Sequence, residues 1–152
     1  MHTIIGKAIV LAAAIGSVAI AAEILPAKAL PLSTILETLE KGGLTGITDV
    51  DYDDGVWEVE GFRGTNAVEA HVDPLTGKVL YEKPEHITSR LPSNAKPASA
   101  IAKQLEAAGY APIMEMDWEV NVWEIEAINA QGRRKLHVAP DTGKVLSDRL
   151  DD

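Results

Sequence analysis

The sequence predicts an α+β fold of two tandem repeats, each a helix packed on a four-stranded antiparallel meander. Three observations carry this. Residues 32–80 recur at 98–146 with a constant offset of 66: Trp57-Glu58-Val59-Glu60 returns as Trp123-Glu124-Ile125-Glu126, His71-Val72 as His137-Val138, and Pro74-Leu75-Thr76-Gly77-Lys78-Val79-Leu80 as Pro140-Asp141-Thr142-Gly143-Lys144-Val145-Leu146. A repeat of this kind is one supersecondary unit built twice. Within each copy, apolar residues recur first at helical spacing and then in alternation, the mark of a helix followed by half-buried strands. The helix precedes a run of strands instead of alternating with them, which segregates it to the apolar face of an antiparallel sheet. The chain divides into a signal peptide (1–22), repeat 1 (30–83), a linker (84–95) and repeat 2 (96–150).

Each element has a local reason. Lys7 is the only charged residue before Glu23, and Ala8 to Ala22 is an unbroken run of apolar and small residues. Its 15 residues fall short of the roughly 20 that span a bilayer. Ala19-Ile20-Ala21 offers the small residues that signal peptidase reads, so cleavage is expected after Ala21 or Ala22. In the first helix Leu32, Ile35, Leu36 and Leu39 form one apolar stripe. Pro31 suits its first turn, Thr34 and Glu37 have capping-box spacing, and Gly42-Gly43 stops it. Asp53-Asp54-Gly55 is a tight hairpin signal. Trp57 and Val59 then alternate with Glu58 and Glu60, and Val68, Ala70 and Val72 with Glu69 and His71, giving one buried and one wet face. The Pro-x-Thr-Gly turn leads to a last strand, Lys78–Glu82 in the first copy and Lys144–Ser147 in the second. Pro84, Ser89, Pro92, Ser93 and Asn94 mark an ordered linker. The second helix carries the stripe Ala98, Ile101, Ala102 and Leu105, between Pro97 and Gly109.

Composition narrows the functions. With Lys7 removed in the leader, 13 Lys and Arg stand against 23 Asp and Glu, a net charge of −10. Nucleic acid and anionic lipid surfaces need a basic patch, so neither is an expected partner, and no stable membrane insertion follows cleavage. A neutral or basic partner fits better. Residues 23–90 carry −7 (6 basic, 13 acidic) against −3 for 91–152 (7 basic, 10 acidic), which favours the first repeat as the electrostatic docking surface. The absence of cysteine excludes thiol nucleophiles, thiolate metal sites and disulfide staples, so an exported chain must fold on its core alone.

No catalytic motif is present: there is no Gly-x-Ser-x-Gly, no His-Glu-x-x-His and no phosphate loop. The chain reads as a non-enzyme with no cofactor. Asp49, Asp51, Asp53 and Glu60 have calcium-loop spacing, but Asp54 holds the place of the loop's turn glycine, and the same residues read as wet-face strand carboxylates. If Phe62 faces Ala67 across the turn, Glu58 lies opposite His71, and the offset places Glu124 opposite His137. Such pairs stabilise a sheet by about 0.2–1 kcal/mol, or hold a metal or sense pH. By the same register Glu60 faces Glu69 and Glu126 faces Lys135, so Glu69→Lys is expected to stabilise the first repeat slightly. Glu58, Glu60, Glu69, His71, Glu124, Glu126 and His137 are the candidate partner-binding residues. Trp57 and Trp123, and Trp118 at the place of Tyr52, read as core.

A small helix, a glycine stop, alternating strands and Val72-Asp73-Pro74-Leu75-Thr76-Gly77-Lys78-Val79 together resemble the PepSY domain family, and the likeness covers both repeats. In the second copy Ala139 replaces the usual Asp, leaving Asp141 as the candidate to fasten that turn. The resemblance implies a module of the kind that accompanies secreted peptidases as an inhibitory propeptide, or that is exported as a free protein. With no catalytic domain before Asp152, the expectation is an exported binding module in the periplasm or secreted, inhibitory or regulatory toward an unidentified periplasmic protein such as a peptidase. The alternative is a metal- or pH-responsive periplasmic accessory protein.

Overall fold

The structure, a computed structural model, describes residues 23–152; the proposed leader lies outside the described residues. Its elements are α1 (Leu32–Lys41), β1 (Leu44–Asp53), β2 (Val56–Arg63), β3 (Asn66–Val72), β4 (Val79–Pro84), α2 (Ala98–Ala107), β5 (Ile113–Glu119), β6 (Val122–Asn129), β7 (Gly132–Val138) and β8 (Val145–Leu150). They form one antiparallel eight-stranded sheet in the order β4-β3-β2-β1-β5-β6-β7-β8. Two separate repeats, each a helix on its own four-stranded meander, are therefore not what the chain builds, although the class is α+β.

The physical reason is edge and core. A free meander would leave β1 or β5 as an open edge of unpaired backbone groups. These strands instead pair with each other, Asp49 opposite Asp117, Val50 opposite Met116 and Asp51 opposite Glu115. Because Val50 and Met116 are 66 apart and face each other, the seam is a local two-fold axis relating the two halves. A half of this length would also be only marginally stable alone, because it buries a smaller share of its surface than the joined sheet does. The apolar stripes of both helices join the inward residues of all the central strands in one cluster, with Ile35, Leu36, Val50, Trp57, Ile101, Met116, Trp123 and Ile125 fully buried.

The helices lie antiparallel and clasp each other. Ser33 donates its N–H (3.1 Å) and its hydroxyl to the Glu106 carboxylate, and Ser99 donates its N–H (3.1 Å) and hydroxyl to Glu40. Neither helix has a side-chain cap of its own, and the Thr34–Glu37 capping box is unused because α1 begins at Leu32 after Pro31. The partner helix's last turn thus supplies the carboxylate that an N-terminus favours. Ser33→Ala and Ser99→Ala are each expected to cost about 1 kcal/mol in urea unfolding. Similar losses at both sites would verify the symmetry; a silent substitution would exclude the clasp at that end.

The turns follow their residues. Asp54 (φ 48°) and Gly55 (φ 82°) close the first hairpin in the left-handed region. Asp73 Oδ1 accepts the Leu75 N–H at 2.8 Å, and Gly77 has φ 72°. Both turns also close through backbone, Gly77 N–H to Asp73 O at 2.8 Å and Gly143 N–H to Ala139 O at 2.9 Å, and through Thr76 and Thr142 Oγ1, which accept the Lys78 and Lys144 N–H groups at 3.2 Å. Among the described residues Asp141 does not take over the Asp73 side-chain bond. The last strands run further than the sequence suggests, to Pro84 and Leu150. The intervening segment is tied down by the Lys96 N–H bond to Pro140 O (2.8 Å), whose counterpart is Leu30 N–H to Pro74 O (2.9 Å).

Candidate functional site

The helices cover one face of the sheet; the other is open along its centre, while at one end Arg90 lies 4.0 Å over the ring of Phe62, which is buried on that face. Strand alternation places every glutamate of the Trp-Glu-x-Glu segments on that open face, and the registers align them in two rows across the sheet. One row reads Lys83, Glu69, Glu60, Asp49, Asp117, Glu124, His137. The other reads Tyr81, His71, Glu58, Asp51, Glu115, Glu126, Lys135, Arg149. The local two-fold exchanges the rows. Directly opposed side chains in a sheet lie about 5 Å apart at Cβ, so neighbouring carboxylates repel.

The repulsion is relieved only toward the ends. Glu69 lies 2.9 Å from the Lys83 ammonium and 2.5 Å from His71 Nε2. Glu124 lies 2.9 Å from Lys135 and 3.3 Å from His137 Nε2, and Glu126 lies 3.3 Å from Arg133. Among the described residues no ion pair reaches Asp49, Asp51, Glu60, Glu115 or Asp117. Burial lifts the Asp49 carboxyl to about 7, with Asp117, Glu60, Asp51 and Glu115 adding to it. Glu115, its counterpart, is pushed up to about 7 by burial and then by Glu126, Asp51 and Asp117, with Lys135 opposing. Burial also raises Asp51, Glu58, Glu60 and Asp117. Near neutral pH the seam is a strip of uncompensated, half-buried acid.

All the sequence-derived candidates except Asp53 lie in these rows. Asp53 sits at the hairpin end of β1, near Asp54 and Glu23, so Asp49, Asp51, Asp53 and Glu60 do not form one convergent ligand set. Glu58 stands opposite His71 and Glu124 opposite His137. The two histidines differ in exposure. His71 is buried, its ring stacked on Tyr81 at 4.2 Å, whereas His137 faces Ser147 and is half-exposed. Glu115 and Asp117 complete the seam. The signal for Glu115 was its 66-residue offset from Asp49, hidden by the Asp-to-Glu change.

The expected gain from Glu69→Lys is corrected by these contacts. Glu69 does face Glu60, but it is buried and already paired. Burial alone would raise its carboxyl; the Lys83 and His71 hydrogen bonds override this and hold it below the usual range. Lysine there would lose both partners and meet Lys83. Glu69→Lys is expected to destabilise by about 1–2 kcal/mol, read as a lowered urea midpoint. An unchanged or raised midpoint would discard the network.

The chain belongs to the PepSY family: the family model for the peptidase propeptide and YPEB domain matches residues 5–83 and 88–149. None of the curated proteins matches it. Among solved structures, a Clostridium difficile protein provisionally described as a lipoprotein is similar at 17% identity and a TM-score of 0.46, over 82% of this chain and 95% of that one.

Proposed function

We propose that this protein is an exported, non-catalytic binding module that holds a basic segment of a periplasmic or secreted protein, such as a peptidase, against its open sheet face. The single observation behind this reading is the acid at the centre of that face, where Asp49, Asp51, Glu115 and Asp117 form no ion pair among the described residues while the helices cover the opposite side. A Lys- or Arg-bearing partner would supply the missing charge, with an on-rate that falls as salt rises. Membership of a family named for peptidase propeptides supports an inhibitory or regulatory role, the leader-like residues 1–22 support export, and the acidic balance supports a basic partner. Among the described residues no helix is long and apolar enough to cross a membrane.

The test is capture from periplasmic extract followed by mass spectrometry, comparing the wild-type protein with Asp51→Asn/Asp117→Asn. Specific capture lost in the double variant is the expected result. Equal capture by both, or none by the wild type, would refute docking on this face. The second reading, a pH-responsive accessory protein, draws on Asp49 and Glu115, whose carboxyls titrate near neutral pH.

A further inference from the structure

Comparison of the two halves isolates one site that exists only once. In the second half Lys135 lies 2.9 Å from Glu124 and 3.7 Å from Glu126, a cation built into the carboxylate rows. Its counterpart in the first half is Glu69. Where one half holds a positive charge, the other holds a further carboxylate, beside an imidazole. Glu58, Glu69 and His71 each direct a ligand atom into a common space, all within 4.8 Å of one another. His71 Nε2 is hydrogen-bonded to Glu69 at 2.5 Å and lies 3.8 Å from Glu58, so an entering metal would displace the shared proton to solvent and open the first contact toward the roughly 3.3 Å between ligand atoms on a tetrahedral divalent ion. Glu69 and His71 are both 7% exposed, and Tyr81 stacked on the imidazole fixes its plane.

We propose that Glu58, Glu69 and His71 form a zinc-class divalent metal site, with a fourth position open to water or to a partner's side chain. The ligand chemistry is one neutral imidazole and two carboxylates, which suits Zn²⁺ and excludes a soft, thiolate-seeking ion. Lys83 is the resident counter-charge: its ammonium contacts Glu69, and its half-exposed side chain is free to swing away when a metal enters. The proposal goes beyond partner docking: Glu69 and His71 lie on β3 toward the β4 edge, with Glu58 between them and the seam residue Asp51, and metal binding is read without any partner.

The test is calorimetric titration of the protein with Zn²⁺ alone, and with Co²⁺ for its tetrahedral absorption. One equivalent is expected to bind. Glu58→Gln, at a partly exposed position that leaves the core intact, and His71→Ala should each weaken binding about tenfold or more, and His137→Ala should leave it unchanged. Lys83→Met should tighten it, because the competing ammonium is gone. A lysine serving only a structural ion pair would instead lower the melting temperature and leave metal affinity unchanged. Absence of binding, binding that survives His71→Ala, equal loss in His137→Ala, or an unmoved affinity in Lys83→Met would each overturn the site.

Discussion

Trp57→Ala and Trp123→Ala are each expected to cost about 3–5 kcal/mol, because both indoles are fully buried where helices and sheet meet. Each packs edge-on against the matching aromatic of the neighbouring strand, Tyr52 at 5.3 Å and Trp118 at 5.7 Å. Truncation would leave a large void under two helices that cannot collapse independently, since the Ser–Glu clasps tie them together. Among the described residues neither indole N–H finds a hydrogen-bond partner. Phenylalanine retains an aromatic ring and removes that orphaned donor, so Trp→Phe should cost about half as much or less. Urea unfolding of the four variants checks this ordering. Equal costs for Ala and Phe would mean that ring volume is not what holds the core. Because the sheet is continuous, one cooperative transition is expected in each variant; separate unfolding of the two halves would contradict the seam.

What the sequence could reveal follows from which interactions are local. Hairpin registers are dictated by turn residues and alternation, so the Glu58–His71 and Glu124–His137 pairings are legible in the sequence. The apolar stripes of both helices were legible for the same reason. The β1–β5 pairing was not. An edge strand and a central strand with the same alternation look alike in sequence, and only the need to satisfy backbone groups and close a core joins them. The helix clasp was equally hidden, because Ser33 and Glu106 lie 73 residues apart and the nearer Thr34–Glu37 pair offered a local alternative. At Glu69 the register was right but its consequence was not. Facing Glu60 reads as repulsion until Lys83 arrives from β4 and His71 from two residues on. The repeat makes such differences interpretable: Lys135 in place of Glu69, and Ser147 in place of Tyr81, turn a buried histidine cluster into an exposed one.

Stability is expected to fall as pH rises from about 5 to 8, contrary to a fold that rests on ion pairs. The Asp49 and Glu115 carboxyls are raised in the folded state, from ordinary values near 4 to about 7. The folded protein therefore holds protons that the unfolded chain has released. Their contribution is fully present below the unfolded values and is lost as pH climbs through about 7. The carboxylates held low, Glu69, Glu124 and Asp148, have the opposite sign. Their contribution disappears only in acid, so they do not offset the loss between pH 5 and 8. Both raised groups are partly open to solvent, and screening leaves a combined effect on the order of 2 kcal/mol. Asp51, Asp117, Glu58, Glu60 and Glu126 face them across the rows, with Lys135 the cation opposing the Glu115 shift, so added salt should flatten the profile. Melting temperatures of the wild type and of Asp49→Asn/Glu115→Gln across this range are the measurement. The double variant, which keeps only Asp51 and Asp117 of the four seam carboxyls, should melt higher at pH 8 and show less pH dependence. A wild-type profile that rises from pH 5 to 8, or a double variant as sensitive as the wild type, would mean that the seam acids are ionised in the fold without penalty. It would also remove the physical ground for a partner that must neutralise them.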